Sequence, residues 1–209
     1  MKDFLKILSL FVFSIGTIHV SAQTSVLEST PKTTHLFIDV HQLKPGKIDY
    51  KAVAEAHAKD LAVQRKYNVD IQQYWIDKKE GLIFCLALAP DSLSIRKTHM
   101  EAHGLLPERI FPVTGGMEAA SKGNRNLFMD IHYLGAGHVT AKDVAGAHQK
   151  DLAVQSKYGV NLINYWVNER DGIVMCLAEA KDSTALINTH KEAHGLLPAK
   201  VFKVKQGQY

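Results

Sequence analysis

The sequence predicts an α+β protein built from two copies of one unit, and three observations predict it. A step of 91 residues lays the first half on the second, without insertion or deletion, from Leu36/Leu127 to Val113/Val204. Within each copy the apolar pattern reads strand, helix, strand, strand, helix, strand. Both copies also end their second helix on one phrase, THMEAHGLLP at 98–107 and THKEAHGLLP at 189–198. Roughly half of the aligned positions are identical, far beyond chance self-similarity.

Residues 1–22 stand apart from that repeat. Lys2 and Lys6 flank an apolar run from Ile7 to Ile18, and Val20-Ser21-Ala22 is a small-residue cleavage pattern before Gln23. This is the design of a secretory signal peptide, and the run is short for a membrane span. The sequence therefore predicts a periplasmic or secreted protein with no membrane attachment after cleavage. No cysteine follows the run, so a lipid anchor is not indicated. Residues 23–34, rich in Ser and Thr, read as a flexible lead-in.

The first copy occupies 35–113 and the second 126–205. In the first, Leu36 to His41 alternates with period two and reads as a strand. From about Asp49 to Tyr67, apolar Val53, Ala56, Leu61 and Val63 among charged residues suggest an amphipathic helix, with Asp49 as its N-cap and Thr140 as the counterpart. Ile71 to Asp77 and Leu82 to Ala89 form a hairpin around Asp77-Lys78-Lys79-Glu80-Gly81. Asp91 or Ser92 starts the second helix, Gly104 supplies a left-handed C-cap, and Pro107 forbids continuation. Arg109 to Val113 closes the unit as a short strand. Between the copies, 114–125 reads as a Gly- and Ser-containing linker.

That element order is the ferredoxin-like split βαβ arrangement, with helices on one face of the sheet and the other face bare. A bare face carrying Phe37 and apolar hairpin residues cannot stay in water. Two tandem units answer the problem by covering each other, as a homodimer fused into one chain.

Composition narrows the function classes. Without 1–22 the chain keeps 23 basic and 20 acidic side chains, and no basic stripe is interleaved with aromatics. No nucleic-acid partner is implied. Export permits disulfides, yet Cys85 and Cys176 sit mid-strand at equivalent positions and read as small buried residues. There is no nucleophile elbow, no phosphate-cradling glycine loop and no HExxH helix.

Histidine carries the chemical signal. Of eleven, eight form four pairs at the 91-residue step: His41/His132, His57/His148, His99/His190 and His103/His194. His99 and His103, four apart, share one face of a helix. Asp39 and His41 point to one side of a strand. His57, Asp60 and Gln64 line one face of the first helix, and Asp60 or Gln64 could orient an imidazole, while Glu101 points away. Imidazoles with a carboxylate suit nickel, copper or zinc. Each histidine can equally be a hydrogen-bonded structural residue, and a duplication copies structural residues as faithfully as ligands.

The motifs LFIDVH, AHxxDLxxQxKYxV, YWxxxxxGxxxCLAxAxD and HxEAHGLLP, taken in order, resemble the bacterial nickel-binding family of small ferredoxin-like proteins, long catalogued as a domain of unknown function. The resemblance covers both copies almost end to end. It implies a dimerising α+β unit that binds nickel through histidines, with no established catalytic activity. Carried over by motif, the ligand positions are His41, His57, His99, His103, His132, His148, His190 and His194. One departure stands out: the CLAEA motif is intact at Cys176 to Ala180, but the first copy has Leu88 where the second has Glu179. If that glutamate touches metal, the two sites differ.

Two other readings compete. One is a small-molecule binder or metal-dependent enzyme of the dimeric α/β-barrel type, which would place Asp39 or His41 in an apolar pocket between the sheets. The other is an envelope domain with structural histidines and a protein partner.

Overall fold

The computed structural model describes residues 33–207 apart from 117, 118 and 124. The signal peptide at 1–22 and nearly all of the lead-in lie outside the described residues. The first copy runs β1 (His35–Gln42), α1 (Tyr50–Val63), β2 (Asp70–Asp77), β3 (Leu82–Ala89), α2 (Ser92–Ala102) and β4 (Arg109–Pro112). A two-residue strand, β5 (Thr114–Gly115), follows. The second copy runs β6 (Asn126–Tyr133), α3 (Ala141–Val154), β7 (Asn161–Asn168), β8 (Ile173–Ala180), α4 (Ser183–Ala193) and β9 (Lys200–Gln206).

Local chemistry sets the helix ends. Asp49 accepts from the Lys51 N–H, and Thr140 forms a capping box with Asp143, so each first helix starts where a side chain satisfies its free N–H groups. Asp91 and Asp182 cap the second helices by accepting from Ser94 and Ala185. The helix expected to reach Tyr67 stops at Val63 and tightens into a 3₁₀ turn over Gln64–Tyr67. The turn unwinds at left-handed Asn68, as its counterpart does at Gly159. Gln64 faces away from the histidines: its Oε1 accepts from the Ile71 N–H at 2.7 Å, beside the bulge in β2. Gly104 and Gly195 take φ of +77° and +80°, the left-handed turn the sequence predicts there.

The two units are ferredoxin-like and form a fused pseudo-dimer. All nine strands make one antiparallel sheet in the order β4-β1-β3-β2-β9-β6-β8-β7-β5. Because β4 and β5 are separated only by Val113, the two ends of that order belong to one stretch of chain, and the sheet closes on itself. The closing strands are exchanged. The first copy's last strand pairs β1 and then reaches β7, while β9 pairs β6 and then reaches β2.

The interior is apolar, with Ile38, Trp75, Phe84, Met129, Trp166 and Met175 buried together and the two indoles 5.4 Å apart between ring centroids. Phe37, expected on the bare face, instead packs under the helices with Ile95 and Leu61. Strand alternation explains the correction: Leu36, Ile38 and Val40 point inward, so Phe37, Asp39 and His41 point outward.

The segment 114–125 is tied down at several points. Gly116 and Ala119 donate to Tyr165 O and Ile163 O at 2.8 and 2.7 Å. Glu179, only 2% exposed, accepts from the Lys122 and Gly123 N–H groups, each at 2.8 Å, from Asn161 Nδ2 at 3.2 Å and from the Ser121 hydroxyl. Burial opposes its charge, but these bonds hold its carboxyl below the usual range. Glu179 thus anchors the connection between copies and takes no place among the histidines.

Each exchanged strand ends on a glycine pressed against a tyrosine of the other copy. A Cβ on Gly207 would stand 1.8 Å from the Tyr74 ring, and one on Gly116 would stand 2.1 Å from the Tyr165 ring. Gly116→Ala and Gly207→Ala are therefore expected to destabilise the fold by about 1–3 kcal/mol each, the usual range for overpacking. Urea denaturation of the full chain measures this, and a neutral pair of variants would contradict the clamp.

Candidate metal centre

Three elements of each copy bring its four duplicated histidines to one pocket on the helix side of the sheet. In the first copy β1 supplies Asp39 and His41, α1 supplies His57 and Asp60, and the end of α2 supplies His99 and His103. In the second, β6, α3 and α4 do the same with Asp130, His132, His148, Asp151, His190 and His194. The cavities measure about 270 and 320 Å3. Aliphatic side chains such as Leu43, Val53 and Leu105 form the first pocket's walls, and Leu134, Val144 and Leu196 match them in the second.

His99 is the centre of the arrangement. Its Nδ1–H donates to Asp60 Oδ1 at 2.9 Å, and its Nε2–H faces Asp39 Oδ2 at 3.5 Å. His103 Nε2–H donates to the same Asp60 at 3.2 Å, and its Nδ1 accepts from the Leu105 N–H at 3.1 Å. His41 Nε2 lies 3.1 Å from Asp39 Oδ1, and its ring stands edge-on to His99 with centroids 4.9 Å apart. The second copy repeats this with His190 between Asp151 at 3.0 Å and Asp130 at 3.2 Å.

These contacts decide the charges. Burial works against the charged form of every group here, and at Asp39, Asp60, His99 and their counterparts the pairings override it. Hydrogen bonds from His41 and His99 bring Asp39, fully buried, down to about 2. The two flanking carboxylates hold His99 up at about 10, and His190 likewise at about 10. His57 and His148 go the other way, lowered chiefly by burial against Tyr74 and Tyr165, whose rings lie 4.6 Å from theirs. Cys85 and Cys176 line the pockets as free thiols, pushed well up by burial and then by the nearby aspartates.

The donor set fits a divalent late transition metal. Asp39, His41 and His99 can each offer a ligand atom within 4.8 Å of the others, and so can Asp60, His99 and His103. Asp130, His132 and His190, and Asp151, His190 and His194, do the same in the second copy. His41 Nδ1 is buried with no hydrogen-bond partner among the described residues. His57 and His148 line the pockets without joining these groups. Asp60 orients two imidazoles, as the helical spacing suggested, and Glu101 points outward to Lys66 and Tyr67. The tyrosines were missed. Their only sequence signal was the recurrence of Tyr74 as Tyr165, which a purely structural aromatic would share.

Comparison with known proteins places this geometry. The family model described as nickel responsive protein SCO4226-like matches residues 37–113 and again 128–204. SCO4226 from Streptomyces coelicolor A3(2) is 30% identical over 37% of this chain and 93% of its own, with a TM-score of 0.35. A point variant of chlorite dismutase from Candidatus Nitrospira defluvii is 8% identical over 86% of this chain and 93% of its own, with a TM-score of 0.51, a likeness of fold alone. No curated protein matches. With each half of the chain matched along nearly its whole folded length, this protein belongs to the SCO4226-like family of nickel responsive proteins and carries two copies of the family's domain.

Proposed function

We propose that this chain is an exported metal-binding protein that holds a divalent late transition metal, nickel first and zinc or copper as chemical relatives, in each of its two pockets. The observation that carries this reading is the convergence of imidazoles and carboxylates on His99 and on His190. The ligands are drawn from His41, His57, His99 and His103 with Asp39 and Asp60, and from His132, His148, His190 and His194 with Asp130 and Asp151. Charge supports a divalent ion: two buried aspartates balance it fully, whereas one imidazolium leaves each pocket a unit negative. A bound ion supplies that compensating charge and replaces the protons now shared between histidine and aspartate.

A barrel-type enzyme or small-molecule binder would put Asp39 or His41 between the sheets; instead Asp39 meets His99 of α2 and His41 lines the pocket on the helix side. Residues 1–22 fit export to the periplasm or beyond. Mass spectrometry of the protein from its native envelope should then give a chain starting at Gln23, and an intact Met1 would refute export by cleavage.

Untagged full-length protein is expected to bind about two ions per chain from nickel, zinc or copper titrations followed by calorimetry, with affinity far better than millimolar. The double variant His99→Gln with His190→Gln should abolish binding while circular dichroism stays native. Absence of saturable binding by the native chain would end this reading.

The proton balance gives a second test. Ligation needs a neutral imidazole, but His99 and His190 hold protons up to about 10 in the metal-free protein. Metal uptake at neutral pH must expel these protons, so apparent affinity should rise by up to about tenfold per pH unit until pH reaches that range. Calorimetry in buffers of different ionisation enthalpy should count close to one proton released per ion. Zero release would place both imidazoles outside the coordination.

A further inference from the structure

The 91-residue step makes each pocket a control for the other. Their floors are identical: Asp39, His41, His57, Asp60, His99 and His103 recur in the second copy without change. Their lips differ. His138, one of the histidines outside the four pairs, lines the second pocket at the place where Lys47 lines the first. Both residues are exposed. The carboxylates balance: Asp49 borders the first pocket and accepts from the Lys51 N–H, and Asp143 borders the second and accepts from the Thr140 N–H and hydroxyl. What remains is an exchange of a fixed cation for a metal donor.

That exchange acts in one direction on an incoming divalent ion. An ammonium at the entrance repels it and has no lone pair to offer. An imidazole repels less and can take the ion through a ring nitrogen before the buried groups do. The His138 ring also lies beside Gly135, where a Cβ would come within 3.1 Å of His138 Cδ2. Resting on the metal-binding reading above, we infer that His138 is a metal-capture residue of the second pocket, and that the two pockets fill in order, the second before the first. The chain is thus a pair of unequal sites, although the buried ligands of the pair are the same.

The test uses the full-length chain and nickel chloride alone. Native protein should show two stepwise dissociation constants separated by about tenfold, the scale of one added like charge near a partly screened ion. Removing the floor of one pocket at a time assigns them: His99→Gln should leave the tighter site and His190→Gln the weaker one. The lip variants then close the gap, His138→Lys weakening the second pocket and Lys47→His strengthening the first, and the two combined reverse the order. Both lip residues are exposed, so these variants should keep the native circular dichroism spectrum. Two ions bound with equal affinity, unmoved by either lip variant, would overturn the inference and leave the metal-binding reading intact. Failure of the native chain to bind nickel at all would overturn both.

Discussion

The exchange of terminal strands is the constraint on which this molecule depends. A ferredoxin-like sheet covers one face with its own helices and must find a cover for the other. Here each copy sends its last strand across to the edge of its twin, β5 to β7 and β9 to β2. The crossing joins the two sheets into one ring and buries Trp75 against Trp166 within it. It also carries Gly116 and Gly207 over Tyr165 and Tyr74, the rings that back His148 and His57. The wall of each histidine pocket is therefore partly braced by the other half of the chain.

Inside the pocket the governing economy is electrostatic. Two carboxylates buried near one another are costly unless cations or protons stand between them. His99 performs that service with both ring nitrogens, and Asp60 spreads its charge over His99 and His103. The result is a network that links Asp39, His99, Asp60 and His103 through hydrogen-bonded protons. Such a network ties the first strand and both helices of the copy together at one point.

Much of this was legible in the sequence because the signals were periodic. The 91-residue step, the strand alternation at Leu36 to His41, and the His99/His103 spacing each follow from geometry that residue order alone encodes. Phe37 was misplaced because alternation says which residues share a face but not which face meets the helices. Gln64 was misassigned because the helix narrows one residue earlier, turning its side chain toward the β2 bulge. The motif left open whether Glu179 touches metal; its partners are the Ser121 and Asn161 side chains and backbone N–H groups of the connection, 56 and 57 residues earlier in sequence. No local pattern encodes a contact of that kind. The convergence of strand, first helix and second helix on one pocket likewise needed the fold.

In a closed ring every strand already has a neighbour on each side. Solenoid proteins grow by stacking, because each unit offers its neighbour a fresh surface. In this architecture both crossing strands are already used, each pairing with its own copy and then with its twin. An array grown by further duplication would need a docking surface other than the crossing strands, because those already serve the pair.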